Sequence, residues 1–269
     1  MRFLHSNHVQ IIGLGIMGEA LLKSLIKSGV DEKKILLSEK KSERVMHLVS
    51  NYSCRVSNEE QIDINSENIL LVVKPQDMDS LLESVGKSIS VSQRVISFSA
   101  GKKTPSIEKY LHEGVAVLRV MPNTPMSVGV GASAISAGKY ATDADVAAVQ
   151  DLLKASGKTI VVDEALQDAV TATSGSGPAY FFRFVEAMIA GAVELGLTEA
   201  DAHTLVVQTI SGAAAMLSVE GASPATLRAN VTSPNGTTFA ALQVFESGDL
   251  SDLVKRAMVA ARDRSQELS

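Results

Sequence analysis

Short apolar runs alternate with segments of helical periodicity through roughly the first three-fifths of the chain. The run at residues 9–12 ends at a glycine, and residues 19–28 then repeat apolar side chains at the spacing of one helix face. The nearly uninterrupted apolar run at residues 68–74 is typical of a strand that is buried on both faces. An alternation of strands and helices predicts an α/β fold, in which helices cover both faces of a parallel sheet. Further strands are predicted at residues 34–39, 94–99 and 115–121, and further helices at residues 43–50 and from Thr104.

The pattern changes beyond the last predicted strands, where β-branched runs give way to long helical segments. Helices are predicted at residues 178–196 and 198–219, joined by a glycine that suits a helix C-terminus. We therefore expect two domains, residues 1–162 with the sheet and residues 163–269 with helices only. Both long helices are rich in alanine and glycine, which lets helices approach closely. We expect a homodimer through the C-terminal helices, with assembly of dimers into a higher oligomer left open.

Composition and charge narrow the class of protein. Hydrophobic residues make up 45% of the chain and charged residues 20%, the balance of a globular protein. The net charge of −5 provides no basic field to attract nucleic acid or an anionic membrane surface, so neither is expected as a partner. No apolar run approaches the ~18 residues that span a bilayer, and none resembles a signal peptide. Because Cys54 is the only cysteine, no intrachain disulfide can form, and we expect a cytoplasmic protein.

A glycine-rich motif follows the first predicted strand and opens the first predicted helix. Residues 13–18 read G-L-G-I-M-G, the G-x-G-x-x-G spacing of dinucleotide-binding turns. In this context Gly13 would make the turn, Gly15 would admit a pyrophosphate, and Gly18 would let helix and strand pack closely. The amide groups at the helix N-terminus would then face the phosphates. The motif predicts that the first domain is Rossmann-like and binds a dinucleotide.

The end of the second predicted strand carries conflicting signals about which nicotinamide dinucleotide is used. Glu39 lies about twenty residues beyond the last glycine of the motif, where a carboxylate binds the ribose hydroxyls of NADH. Ser38, Lys40 and Lys41 beside it have the chemistry to hold the 2′-phosphate of NADPH. The residues themselves leave the choice open. Lys74, at the end of the predicted strand 68–74, is a further candidate because that position points toward the cofactor crevice.

Several segments that are dense in Gly, Pro, Ser, Thr and Asn lie where predicted elements end. Together, and in this order along nearly the whole chain, they resemble the pyrroline-5-carboxylate reductases. The last segment is similar to that family's T-S-P-G-G-T-T signature, with Asn235 in place of the first glycine, and asparagine tolerates the positive φ that such a loop needs. The segments are residues 73–75 (VKP), 99–101 (SAG), 119–125 (RVMPNTP), 174–180 (SGSGPAY) and 231–238 (VTSPNGTT).

The resemblance implies reduction of 1-pyrroline-5-carboxylate to L-proline, the last step of proline biosynthesis, with NADPH as the hydride donor and NADH possible. Thr238 is the implied catalytic residue, and a threonine hydroxyl is suited to polarise the ring nitrogen rather than to act as a general acid. The segment 174–177 is expected to be a flexible loop beside the substrate. The implied substrate-binding residues are Glu164, Ser176, Ser233, Gly236, Thr237 and Thr238. The cofactor-binding residues, from motif and resemblance together, are Ile12, Gly13, Leu14, Gly15, Ile16, Met17, Gly18, Ser38, Glu39, Lys40, Asn58, Val72, Val73, Lys74, Pro75, Ser99, Ala100, Gly101, Asn123 and Asn230.

Three other interpretations compete with this one. A reductase of a related cyclic imine would carry the same segments. A dehydrogenase of the 3-hydroxyacid or 6-phosphogluconate type would need a catalytic lysine in the helical domain, and residues 162–248 contain no lysine. A dinucleotide-sensing regulatory protein would not need the loop at residues 231–238. The five histidines show no metal-ligand spacing, so no metal site is expected.

Overall fold

The computed structural model describes residues 8–57 and 61–267, which form two compact units. The first unit runs up to Ser176 and takes in the end of the chain from Ala261, and the second is Gly177–Ala260.

Eight strands of the described chain form one sheet in the first unit, in the order β3-β2-β1-β4-β5-β6-β7-β8. All neighbouring strands are parallel except β6 and β7, which pair antiparallel. The strand order reverses between β1 and β4, which is the topological switch point of a Rossmann-like fold. The predicted α/β fold is therefore confirmed. The strands are β1 (His8–Ile12), β2 (Ile35–Ser38), β3 (Arg55–Ser57), β4 (Ser66–Leu71), β5 (Arg94–Ser97), β6 (Ala116–Met121), β7 (Gly131–Ala137) and β8 (Gly157–Val161).

The two faces of the sheet carry two separate hydrophobic cores. Leu70 of β4 and Leu118 of β6 pack in one cluster with Leu21 of the first helix. Ile69 and Leu71, the residues on either side of Leu70, lie in the other cluster. Successive side chains of a strand point to opposite faces, so a strand covered on both sides must be apolar throughout. This requirement produces the uninterrupted apolar run that the sequence shows.

The helices of the first unit connect the strands and cover the sheet. The predicted strand 68–74 ends earlier, at Leu71, because Pro75 starts a helix and Lys74 is its N-cap. Pro suits this position, since its fixed φ matches the helix and its missing N–H would be unpaired there. The helices are α1 (Ile16–Lys27), α2 (Ser42–Asn51), α3 (Pro75–Val85), α4 (Thr104–Glu108), α5 (Asp143–Leu153) and α6 (Gln167–Val170).

The second unit is entirely helical, as predicted. Gly196, with φ of +103°, ends the first of its helices, because only glycine adopts that conformation without strain. Large apolar side chains remain exposed, among them Phe181 and Phe182 at 62% each. No helix in the described part of the chain is both long and apolar enough to cross a membrane. The helices are α7 (Gly177–Glu194), α8 (Glu199–Leu217), α9 (Pro224–Asn230), α10 (Thr237–Ser247) and α11 (Leu250–Glu267), the last of which ends in residues of the first unit.

Candidate active site

A cleft of about 1130 Å³ opens at the carboxyl ends of β1, β2 and β4, at the switch point of the sheet. Ligands of open α/β sheets bind in this position. Most of the residues that the sequence predicts as cofactor-binding at the ends of these three strands line the cleft. These lining residues are Ile12, Gly13, Leu14, Gly15, Ile16, Ser38, Glu39, Lys40, Val72, Val73 and Lys74.

The glycine loop has little room for side chains at two of its three glycines. Gly13 has φ of +95°, and a Cβ on it would lie 2.8 Å from the carbonyl oxygen of Val72. A Cβ on Gly18 would lie 2.1 Å from the carbonyl oxygen of Gly13, so a side chain there would push the helix off the loop. A Cβ on Gly15 meets no atom within 4 Å. Gly15, the N-cap of α1, therefore borders open space in the cleft, as expected of a residue that admits a ligand.

Two side chains of the second βα unit fix the backbone of Leu14 inside this loop. The Leu14 N–H donates to Oε2 of Glu39 over 3.0 Å, and Nε of Arg44 donates to the Leu14 carbonyl over 2.6 Å. The other oxygen of Glu39 accepts the N–H of Lys41, also over 3.0 Å. Charge-assisted hydrogen bonds of this kind are stronger than neutral ones. Glu39 thus shapes the loop as well as lining the cleft.

Glu19, which lines the cleft, lies at the centre of a cluster of charged and polar side chains. Glu19 accepts hydrogen bonds from Arg44 and from the hydroxyl of Tyr52, the latter over 2.8 Å, and its carboxylate lies 3.0 Å from the Lys23 ammonium. Burial alone would raise the pKa of Glu19, but these hydrogen bonds outweigh it and lower that pKa to about 2. Burial and then the bond to Glu19 raise the pKa of Tyr52. Glu19 is therefore ionised and Tyr52 neutral at pH 7.

The lowered pKa of Glu19 predicts a loss of stability in acid. A carboxyl whose folded-state pKa lies below its unfolded value stabilises the fold above the unfolded pKa, and this contribution disappears as pH falls through the folded one. We expect Glu19→Gln to lower the free energy of unfolding at pH 7 by about 2–3 kcal/mol and to flatten its decline between about pH 5 and pH 2. Urea denaturation across this pH range measures both effects.

The control is Glu43→Gln, which removes an exposed carboxylate from the first turn of α2. That variant should retain the acid dependence of the unsubstituted protein. Equal pH profiles for Glu19→Gln and Glu43→Gln would contradict the role of the Glu19 cluster.

Other predicted cofactor residues of the first unit lie outside the cleft walls. Met17 packs against the hydrophobic core, and the Asn123 amide oxygen accepts the N–H of Ala132 over 2.8 Å, which fixes the turn after β6. Asn58 lies outside the described residues. The remaining ones, which stay predictions as cofactor contacts, are Gly18, Pro75, Ser99, Ala100 and Gly101.

The predicted substrate residue Glu164 has its carboxylate engaged within the first unit. Its two oxygens accept the Thr104 N–H over 2.7 Å and the Thr104 hydroxyl over 2.8 Å, so Glu164 caps the start of α4. Oε1 also lies 3.6 Å from Nη1 of Arg119. The structure therefore joins Glu164 to a buried arginine that the sequence did not single out.

The expectation of a flexible loop at residues 174–177 is wrong. Thr171–Gly175 forms a π-helical turn that ends just before Ser176, and α7 begins at Gly177. The hydroxyls of Thr171 and Ser174 bond to carbonyls four residues earlier, and the Ser176 N–H bonds five residues back to Thr171. Side-chain bonds of this type satisfy a widened helical turn, and glycine and serine richness alone does not reveal them.

The signature segment of the second unit forms a tight turn into α10. Asn235 has φ of +56°, the conformation for which asparagine is suited. The Gly236 N–H bonds to the Ser233 carbonyl over 3.0 Å, and a Cβ on Gly236 would collide with the Ser233 hydroxyl. Thr237 and Thr238 open α10, whose N-cap Gly236 provides no side-chain cap. The first amides of this helix are therefore available to an anion. Asn230, the last residue of α9, lies just ahead of this segment.

Sequence reasoning missed most of one wall of the cleft. Glu19, Ala20 and Lys23 line it together with the predicted Ile16, all from a single face of α1. The spacing 16-19-20-23 was the available signal, because residues three and four apart share a helix face. Lys41, considered above beside Glu39, also lines the cleft, and further lining residues without a local motif are Arg44, Gln76, Asp77, Ser80, Leu81 and Ser127. Among the described residues, no group of three or more His, Cys, Asp or Glu side chains has the arrangement to hold a metal.

A glycine loop at the switch point of this sheet, opening into a cleft, defines a Rossmann-type dinucleotide-binding protein. The family model described as pyrroline-5-carboxylate reductase dimerisation matches residues 164–268, and the model described as NADP oxidoreductase coenzyme F420-dependent matches residues 8–101. A pyrroline-5-carboxylate reductase of Methanosarcina acetivorans is 38% identical over 98% of this chain and 99% of its own. The chain belongs to the pyrroline-5-carboxylate reductase family.

Solved structures agree with this assignment. A pyrroline-5-carboxylate reductase from Coxiella burnetii superposes with a TM-score of 0.92 at 33% identity, covering 98% of this chain and 99% of that one. A pyrroline carboxylate reductase from Plasmodium falciparum, solved with NADP bound, gives a TM-score of 0.87 at 26% identity, with coverage of 98% and 99%.

Proposed function

We propose that this protein is an NAD(P)H-dependent reductase that converts 1-pyrroline-5-carboxylate to L-proline, the last step of proline biosynthesis. The observation that carries the proposal is the glycine-loop cleft at the switch point, in a chain that shares 38% identity with a reductase of this name over almost its whole length. The cleft supplies the site for a hydride donor, and the loop before α10 supplies amides for a small carboxylate.

NADPH is the proposed cofactor, with NADH accepted. Ser38, Lys40 and Lys41 at the end of β2 line the adenosine end of the cleft, where a 2′-phosphate would lie. Glu39 lies between them and opposes a phosphate by charge, while its carboxylate suits the ribose hydroxyls of NADH. The Plasmodium relative with NADP bound supports NADPH.

The substrate carries one carboxylate and one imine, and the residues of the signature segment suit both. Ser233, Gly236 and the first amides of α10 would bind the carboxylate. A bound nicotinamide would supply a hydride to the imine carbon, which would leave the electron pair of the C=N bond on the ring nitrogen, and that nitrogen would take a proton through water. Thr238 would donate a hydrogen bond that orients and polarises this nitrogen. Glu164 and Ser176 complete the proposed substrate residues, while Asn123 and Asn230 would contact the cofactor.

A homodimer through the helices of the second unit is proposed as the working assembly, with association of dimers into a higher oligomer left open. Phe181, Phe182 and other large apolar side chains of this unit are exposed, and association would remove such side chains from water. The match to a dimerisation model supports this. Light scattering at micromolar concentration should give the mass of a dimer or a multiple of it, and a monomer would contradict the proposal.

Two further predictions remain part of the proposal. The domain division at residues 162 and 163 is supported by the family model that begins at residue 164, although the first compact unit continues to Ser176. A cytoplasmic location is supported by the single cysteine, Cys54, which needs no oxidising compartment.

Replacing Glu39 should shift the choice between the two cofactors. Glu39→Ser removes the charge that opposes a 2′-phosphate, so the ratio of kcat/KM for NADPH to that for NADH should rise by about tenfold or more, which corresponds to about 1.4 kcal/mol. The absolute kcat/KM for NADH should fall, because the variant also loses the bond to the Leu14 N–H. Steady-state kinetics with both cofactors measure the two changes.

Glu43→Ser is the matched control, because it removes a neighbouring exposed carboxylate outside the cleft. It should leave the cofactor ratio unchanged. A ratio that moves equally in both variants would show that net charge, and not the position of Glu39, sets the preference.

The assignment itself is tested by mixing the purified protein with 1-pyrroline-5-carboxylate and either NADPH or NADH, and following the absorbance of the reduced nicotinamide. We expect oxidation of the cofactor that depends on the substrate, with L-proline formed in equal amount. Absence of substrate-dependent oxidation with both cofactors would remove the reductase assignment.

A further inference from the structure

A set of buried polar atoms surrounds the carboxyl end of β6 and is not explained by the sheet or its helices. Within residues 8–57 and 61–267, Nε and Nη2 of Arg119, Oε1 of Gln167 and Oγ of Ser99 are buried and have no hydrogen-bond partner. Arg119 is only 2% exposed, Gln167 0% and Ser99 4%. Buried polar groups are normally paired, so such a concentration needs a physical reason.

The strand register places these atoms around one row of the sheet. Arg119 lies directly opposite Ser97 of β5 and Ser136 of β7, and residues that pair across strands point to the same face. Nε2 of Gln167 donates to the Ser136 hydroxyl over 2.7 Å, and the Ser99 N–H donates to the Ser97 hydroxyl over 3.3 Å. Gln167 and Ser99 are therefore bonded to the two residues that lie on either side of Arg119 in the sheet.

The hydrogen bonds of Ser136 fix which end of the Gln167 amide is left over. The Ser136 hydroxyl donates to the Val162 carbonyl over 2.8 Å, so it can only accept from Gln167. The nitrogen of the amide is used there, and its oxygen remains as an acceptor. Gln167 thus offers an acceptor, Ser99 offers a hydroxyl, and Arg119 offers the donors Nε and Nη2.

The guanidinium of Arg119 is satisfied on only one of its edges. Nη1 faces Glu164 at 3.6 Å, whereas Nε and Nη2 form the parallel pair of donors that binds an oxygen ligand from the side. A buried cation is tolerated when it is paired and its remaining protons are bonded. One small oxygen ligand placed on this edge would meet that requirement.

We propose that Arg119 positions the nicotinamide end of the site, with a buried water molecule on its Nε and Nη2 edge. The water accepts from both nitrogens and donates to Oε1 of Gln167 and Oγ of Ser99, which gives it the full set of partners of a structural water. Through this water Arg119 holds Ser99 and the loop at residues 99–101, and through its ion pair it holds Glu164. The inference rests on the proposed function, in which this loop contacts the cofactor and Glu164 the substrate.

The functional test is Arg119→Lys, which keeps the positive charge and removes the two-donor edge. We expect kcat to fall by about tenfold to a hundredfold, because small displacements of positioning groups cost that much. Affinity for 2′-phospho-ADP-ribose, which lacks the nicotinamide, should stay within about twofold, since the residues that line the adenosine end are untouched. Arg94→Lys is the control. Arg94 is the first residue of β5, so it lies at the amino end of that strand, and it pairs with Asp145.

Two results would overturn the proposal. One is an unchanged kcat in Arg119→Lys, as expected for Arg94→Lys. The other is an equal loss of affinity for NADPH and for 2′-phospho-ADP-ribose, which would indicate general structural damage. If Arg119→Lys does not fold, Gln167→Met keeps the shape of the side chain and removes the acceptor. The same two measurements on that variant then support or overturn the proposal in the same way.

A crystal structure at a resolution that shows ordered water tests the site without turnover. We expect one water within hydrogen-bond distance of Arg119, Gln167 and Ser99, and a direct bond between Arg119 and Gln167 without water would contradict the proposal. The crystal structure and the affinities for NADPH and 2′-phospho-ADP-ribose do not require turnover. They therefore test the inference even if the wild-type protein does not reduce 1-pyrroline-5-carboxylate. A failure of the proposed function can therefore be told apart from a failure of this inference.

Discussion

Gly18→Ala should reduce affinity for NADPH by up to about 100-fold and lower the melting temperature of the protein. The added Cβ would lie 2.1 Å from the carbonyl oxygen of Gly13, a backbone atom. Gly13 has no room to retreat, because its N–H bonds to the Ser38 carbonyl over 3.0 Å and its own α-carbon faces the Val72 carbonyl. Overpacking costs about 1–3 kcal/mol, and about 3 kcal/mol corresponds to a factor of 100 in binding. Fluorescence titration and thermal unfolding measure the two effects.

Gly15→Ala separates the two consequences. A Cβ at Gly15 meets no atom of the described chain within 4 Å, so the melting temperature should be retained. The methyl group would nevertheless occupy the space in which the pyrophosphate approaches the loop, so NADPH affinity should fall. An unchanged affinity in Gly15→Ala would mean that the dinucleotide does not lie against this loop.

Thr238→Ala should lower kcat by about 100-fold while leaving NADPH affinity unchanged. The hydroxyl is expected to donate to the ring nitrogen as negative charge develops there, and removal of one such donor costs about that factor. Thr238 is the second residue of α10, and its N-cap Gly236 gives no side-chain cap, so the helix does not depend on this hydroxyl to begin. Steady-state kinetics with saturating NADPH, together with a cofactor titration, measure the change.

Thr226→Ala is the matched control, since Thr226 is an exposed threonine of α9 in the same unit. Thr238→Ser, which retains a hydroxyl, should recover most of the lost kcat. An equal loss in the alanine and serine variants, or a loss of NADPH affinity in Thr238→Ala, would contradict the role assigned to this hydroxyl.

The parallel core of the fold is predictable from sequence because burial on two faces imposes a visible pattern. β1 and β4 appear as apolar runs, and each run has one face in either hydrophobic cluster. β7 escaped prediction because it reads GASAISA, in which alanine, glycine and serine carry little strand propensity. Ser133 and Ser136 of this strand are buried because of their position in the sheet, although their side chains are polar. β3 and β8 are the two edge strands, and neither has a buried residue.

Some features of the candidate site could likewise be predicted from local sequence, and others only from the structure. The glycine loop was predictable because its chemistry is contained in six consecutive residues. The bonds from Glu39 and Arg44 to Leu14 join residues 25 and 30 positions apart, and nothing in a linear pattern specifies them. Arg119 stands in the segment 119–125 that carries the family resemblance, but an arginine in a strand gives no sign that it will be 2% exposed. Contacts between long side chains and residues distant in the sequence could be identified only from the structure.

The most direct test of the central claim is to follow the hydride itself. NADPH deuterated at both C4 positions of the nicotinamide is incubated with the protein and 1-pyrroline-5-carboxylate, and the product is analysed by mass spectrometry. We expect L-proline that carries one deuterium on the ring carbon that was the imine carbon. Unlabelled proline, or no proline while the protein binds the dinucleotide, would contradict it.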